Sequence, residues 1–303
     1  MKLAMRNHHI SGFSGDDLAF LSMRFPKSKG FTPGQSDSWV WHANAKRRRY
    51  LIGGSGWATG LWYSGAQIFV TRSRHGIYRF GAIGDTNDDD DFHQDDLRAA
   101  LMGVWGLDEK NVFAWADRDL KSGIMFRWNG KKWAEMPSPG WGVMEVHGVA
   151  KDIIYAVGRR GLIARWNGKA WKKIKALTDG NLEHLQVIDE DEIHAVADDG
   201  ALLRGTAKKW EVVLVDDGPL YGVARFKDQL WVAAGTRGVG RVKGGAIEIV
   251  KPKIHATSFD ARRGLVAACY DQIAWTDDGV AWYGNHETSD LLAETASTDP
   301  LWD

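Results

Sequence analysis

The chain has 303 residues, 44% hydrophobic and 26% charged, close to globular averages of roughly 45 to 50% and 25%, which excludes global disorder. Thirty-nine basic residues balance thirty-nine acidic ones, so no net field favours nucleic acid or an anionic membrane. Thirty-five glycines against seven prolines, with sixteen tryptophans, require repeated tight turns and repeated aromatic packing positions. The opening MKLAMRNHHI lacks an apolar stretch of signal-peptide length, and no apolar run of ~18 residues occurs. A cytoplasmic chain, bacterial in style, is expected. Cys269, the single cysteine, sits in the apolar run 265–270 and reads as a buried core thiol.

In chain order, the segments ISGFSGDDLAFLSM from Ile10 and TGLWYSGAQIFVTRSRHGIYRF from Thr59 each give two or three short alternating strands. Residues 101–133 and 146–171 repeat a fuller unit: two short strands, a Gly-bearing turn, a third strand ending in Arg-Trp, then Asn-Gly and a Trp-led fourth strand. Asn129-Gly130 and Asn167-Gly168 predict type I′ hairpins. The frame continues through 185–214, 220–250 and 254–283, with Gly244-Gly245 and Asp278-Gly279 at the same turn. Seven registers result. Self-similarity at ~40 residues with four strands per unit predicts an all-β fold, a single β-propeller of about seven four-stranded blades. The expected blades are 8–56, 57–98, 99–139, 140–178, 179–216, 217–252 and 253–288, with a tail 289–303. Gly12, Gly60, Gly103, Gly148, Gln186, Gly222 and Ala256 mark the first strands, as small residues where strands converge on one axis. Trp133, Trp171, Trp210 and Trp282 are expected to fill the wider gaps between blades at larger radius.

The units GVWG, NVFAW, IMFRWNGKKW and GVAKDIIYAVGRRGLIARWNGKAW resemble the repeats of bacterial β-propellers whose blades read roughly GVWG, DVYAVG and GxIxRWDGxxW. The resemblance is specific over 100–215 and implies a scaffold without catalytic residues or a cofactor.

Chemistry-bearing motifs are sparse. GGSGW at 53–57 lacks the second glycine of a nucleophile elbow, and the other Gly-rich stretches miss the phosphate-loop and dinucleotide spacings. Ten histidines show no zinc pattern, so no metal site is assigned. His147, Tyr221 and His255 sit just before marker residues and are expected at one level of the central channel, able to meet an ion or polar ligand. The segment GDTNDDDDFHQDD carries Asp85, Asp88, Asp89, Asp90, Asp91, Asp95 and Asp96. It matches a calcium loop only faintly, with Asp90 where Gly is needed. Read as the connection from blade two to blade three, it would share a face with Trp57 and Trp141, edged by Arg72, Arg74, Arg118, Arg159, Arg160 and Arg237 from turns between second and third strands. Aromatic anchors beside charge suit a protein partner. The basic run Lys46 to Arg49 reads as a solvated strand edge. The expected function is therefore a non-enzymatic, monomeric binding protein, in its sharpest form an immunity protein that neutralises a basic, nuclease-like toxic effector. The alternative is a carbohydrate-binding or glycoside-active propeller using exposed tryptophans, with Glu145 and Glu183 as its carboxylates.

Overall fold

A computed structural model describes residues 3–26, 37–44, 48–55, 57–74, 76–81, 92–118, 122–270 and 272–285. It contains seven sheets, each of four sequence-consecutive antiparallel strands, spanning 3–55, 58–95, 101–136, 143–174, 182–215, 222–251 and 256–285. The first strands (Leu3–Ser14, Ala58–Tyr63, Leu101–Asp108, Val143–Ala150, Leu182–Val187, Gly222–Phe226 and Ala256–Ala261) stand side by side around one axis, and the last lies against the first. This is a closed seven-bladed propeller. Blade one begins at Leu3, five residues before the expected start. Lys46 and Arg47 lie outside the described residues.

The blades stack through aromatic contacts at larger radius. Trp133 of blade three meets Phe69 of blade two edge-on at 6.3 Å, Trp210 meets Tyr155 at 6.0 Å, and Trp282 meets Trp231 at 5.4 Å. The Trp171 indole donates to the carbonyl of Pro137 at 2.8 Å. Each fourth-strand tryptophan thus reaches the preceding blade, where straight strands splay apart and leave room for a bicyclic ring.

Two sequence expectations need correction. Asn129-Gly130 and Asn167-Gly168 are not two-residue type I′ turns, because only the glycines have positive φ, 89° in both cases. Each asparagine instead caps a four-residue loop, its Oδ1 accepting the backbone N–H of Lys131 and Lys132, or of Lys169 and Ala170, all at 3.0 Å. Backbone with the positive φ pair of a type I′ hairpin occurs at Gly244-Gly245, and at Lys227-Asp228 with φ of 48° and 56°.

The second correction concerns the marker residues. Six first strands carry a bulge near their start, at His8, Thr59, Met102, Met144, Glu183 and Thr257. Counting from it, Gly60, Gly103 and Gly222 are equivalent to His9, Glu145, His184 and Ser258. Gly12 and Gly148 fall three positions later, Gln186 two later and Ala256 two earlier. Axis crowding holds at Gly60, where a Cβ would stand 2.8 Å from the Cα of Gly103 in the next blade. At Gly12 and Gly148 a Cβ would strike the second strand of its own blade, at Leu18 and Ile153.

Candidate functional site

The ring encloses a cavity of about 600 Å³ along its axis, within the usual size of a ligand pocket. Two tiers of first-strand side chains line it. His9, Glu145, His184 and Ser258 form the deeper tier, with Gly60 and Gly103 at the same level of the lining. Ser11, Trp62, Trp105, His147, Gln186 and Asp260 stand two residues further along, and Ser64, Asp108, Glu109 and Arg262 bring the cavity to the turns between first and second strands.

The outer tier also fastens blade to blade. The backbone N–H of Tyr63 donates to Ser11 Oγ, that of Val187 to His147 Nδ1, that of Arg225 to Gln186 Oε1, and that of Gly12 to Asp260 Oδ2, at 2.5 to 3.1 Å. In every case a side chain satisfies a backbone donor of the next blade that an inner strand edge would otherwise bury unpaired. Blade two uses shape instead, laying the Trp62 indole over Gly106, where a Cβ would come within 2.6 Å.

Burial dominates the titration of the lining. It pulls His9 and His147 down to about 4 and lowers His184, so all three are neutral at pH 7. With Nδ1 accepting from Val187, neutral His147 carries its proton on Nε2. His184 has both nitrogens engaged, accepting from Val223 N–H at 3.4 Å and donating to the Phe259 carbonyl at 3.0 Å. Desolvation pushes Glu145 up to about 8, with the Asp260 charge adding to it. Glu183 is pushed up to about 7 by burial and by Asp198 but does not line the cavity, so the two carboxyls of the glycosidase alternative do not share a site.

Of the channel trio, only His147 lines the cavity. Tyr221 lies at the bulge level with its ring against Gly235, and His255 precedes its strand, its carbonyl accepting from Tyr270 N–H at 3.4 Å. A residue just before a marker does not have a constant direction once markers fall at different levels.

The acidic segment is also elsewhere than the sequence suggested. Strand three of blade two ends at Gly81 and strand four is the short His93–Asp95, so the acidic segment lies between two strands of blade two and not between blades two and three. Asp85, Asp88, Asp89, Asp90 and Asp91 lie outside the described residues, but the two ends of their segment emerge on the channel-mouth face. Trp57, Trp141 and the arginines belong to the opposite face. Asp95 is an internal tie, bound by Arg79 Nε at 2.8 Å and by the Trp133 indole at 3.1 Å, and Asp96, which is exposed, accepts from Arg98 N–H.

On that opposite face the arginines serve their neighbours. Arg159 and Arg160 stack over Trp141 at 5.5 and 5.9 Å, covering the indole that a sugar would need. Arg237 holds Asp216 at 2.5 Å and the carbonyls of Gly218 and Pro219. Arg72 donates to the Tyr78 hydroxyl at 2.6 Å, and Arg118 meets Glu135 at 3.5 Å with both side chains well exposed. Arg74 is exposed and Trp57 half-buried, its carbonyl accepting from Ser73 N–H.

The fold has solved counterparts. The WD40 β-propeller domain of Doa1 superposes with a TM-score of 0.62 at 10% identity, covering 90% of this chain and 93% of that one. YCF48 bound to the D1 peptide gives 0.61 at 10%, covering 89% and 92%. The Cps50 (Swd1) propeller of Myceliophteria thermophila gives 0.61 at 13%, covering 86% and 92%. The likeness shows the fold. No family model matches the chain, and no curated protein matches it in sequence.

Proposed function

We propose that the chain is a non-enzymatic protein-binding propeller that engages its partner on the channel-mouth face. The observation that carries this reading is the coincidence of the cavity opening with carboxylates. Asp108 and Glu109 stand at the rim, Asp189, Glu190, Asp191 and Glu192 fill one turn beside it, and Gly81 and Phe92, which bound the segment carrying Asp85 to Asp91, lie on the same face. Carboxylates at the mouth of the cavity suit a cationic group of a partner, because complementary potentials steer association and penalise wrong partners. In its sharpest form the partner is a basic, nuclease-like toxic effector, and this chain is the cytoplasmic immunity protein that covers its cationic site as a monomer. YCF48, a propeller of similar shape, has been solved with a bound peptide, which supports a polypeptide ligand in general. The carbohydrate alternative loses its platform at Trp141, whose ring carries two guanidinium groups.

The test is affinity capture from the native host with Asp88, Asp89, Asp90 and Asp91 all replaced by lysine. Loss of charge complementarity at a rim weakens association by roughly 10- to 100-fold, mostly through the on-rate and most strongly at low salt. Capture that survives the reversal unchanged removes the acidic segment from the interface.

A further inference from the structure

We infer that the axial cavity is a receptor for an organic cation, the ammonium or guanidinium of a lysine or arginine side chain presented by the partner. The inference rests on the protein-binding reading above and adds its anchor. Four carboxyl groups line the cavity, those of Asp108, Glu109, Glu145 and Asp260, against one cationic side chain, Arg262. That guanidinium is already engaged, with Asp260 and Ser11 on Nη2 and the Tyr63 carbonyl on Nη1. Nothing is left for Glu145. Among the described residues no lysine, arginine or histidine forms an ion pair with it, and its one favourable contact is the Val146 backbone N–H. A carboxyl held inside protein without a counter-charge stays protonated and gives up its proton when a cation arrives.

The rest of the cavity fits the remainder of such a side chain. Leu107 and the outer-tier Trp62 and Trp105 add apolar surface to the lining, as the alkyl stem of lysine or arginine requires. His9 and His184 of the deeper tier and His147 of the outer one are neutral, and so do not repel a positive head group. Arg262 stands at the mouth but is neutralised by Asp260 at 3.0 Å.

The groups around Glu145 make the test specific. His147 shares its strand, His184 belongs to the next blade, and His9, Asp260 and Arg262 line the same cavity from the other side. With the histidines already neutral, Glu145 is the lining group whose charge changes on cation binding between pH 6.5 and 8.5.

The experiment is calorimetric titration of the full chain with a capped Gly-Arg-Gly peptide, the matching norleucine peptide and agmatine, at pH 6.5 and 8.5. Buffers of different ionisation enthalpy count protons. The arginine peptide should bind about tenfold more tightly at pH 8.5 and release about one proton per site at pH 6.5, as a carboxyl titrating near 8 requires. Glu145→Gln, which keeps volume and hydrogen bonding, should abolish both effects and weaken binding at pH 8.5 about tenfold, a difference of one pKa-unit equivalent. Equal binding of the norleucine peptide, no binding of the arginine peptide at 10 mM, or an unchanged pH dependence in Glu145→Gln would each overturn the inference. Agmatine binding tighter than the peptide would overturn its assignment to a partner's side chain. Should reversal of Asp88 to Asp91 abolish partner capture while Glu145→Gln leaves it intact, the binding face stands and the channel anchor falls.

Discussion

Replacing Arg262 by alanine is expected to destabilise the protein by about 3 kcal/mol, the lower end of what removing one member of a buried ion pair costs. The reason lies in how the ring closes. Among the described residues every sheet is made of consecutive strands, so no strand from one terminus completes a blade at the other, and the seam between blades seven and one is held by side chains together with the backbone bond from Gly264 N–H to the Phe13 carbonyl. Asp260 of blade seven accepts from Ser11 Oγ at 3.0 Å and Gly12 N–H at 3.1 Å in blade one. Arg262 donates to Ser11 Oγ at 2.9 Å and crosses to the Tyr63 carbonyl of blade two at 2.7 Å, with its guanidinium 4.6 Å over the Phe13 ring. These groups are largely shielded, at 23% and 19% side-chain exposure for Arg262 and Asp260. An apolar layer backs them, with Ile10, Phe20 and Trp41 against Val266, Ala268 and Ile273, so the variant should remain folded with a weakened seam. Urea unfolding should show a lower midpoint with an unchanged slope. Hydrogen exchange should quicken first at the amides of Gly12 and Gly264, the latter bonded to the Phe13 carbonyl. Arg118→Ala, which breaks a well exposed pair, is the control and should change stability by less than about 0.5 kcal/mol. Equal losses in the two variants would refute the role given to the seam.

Stability should pass through a maximum near pH 6.5. On the acid side His9, His42 and His147, all lowered to about 4, stay neutral in the native state while the unfolded chain protonates them below 6.5. Their contribution is present above 6.5 and is lost as pH falls towards 4. Glu145 acts with the opposite sign. Its pKa is raised from 4.5 to about 8, so the unfolded chain ionises first and stability drains away as pH rises between those values. Below pH 6.5 the three histidines outweigh it, and above 6.5 it prevails, helped up to about 7 by Glu183. From pH 6.5 to 8 the Glu145 share is on the order of 2 kcal/mol, at about 1.4 kcal/mol per pH unit. Chemical denaturation across pH 5 to 8 should therefore give a dome in the native chain and a flatter alkaline limb in Glu145→Gln. A native profile that keeps rising through pH 8 contradicts the environment assigned to this carboxyl.

The architecture was legible because its signals are local and repeat. Asn-Gly loops, Arg-Trp third strands and Trp-led fourth strands recur at blade spacing, and each answers a demand that every blade shares. The turn geometry was less legible, since an asparagine that caps a four-residue loop and one in a type I′ turn leave the same dipeptide. Blade two misled for a similar reason. Its fourth strand is three residues long and has no tryptophan, so the acidic segment before it reads as a connection between blades. The channel was the hardest to read. The deeper tier holds His9, Gly60, Gly103, Glu145, His184, Gly222 and Ser258, residues with no common chemistry, and a bulge shifts the count between strands. Nor does the sequence pair Arg262 with Ser11, because their contact spans 251 positions and belongs to ring closure alone.

Hydrogen exchange of the chain with and without its captured partner reads directly which face takes the partner. Protection is expected at the turns 64–66, 109–110 and 227–228 and through 82–91, with the opposite turns at 159–161 and 235–237 exchanging as in the free protein. Protection confined to those opposite turns, beside Trp141 and Arg237, would contradict binding at the channel-mouth face.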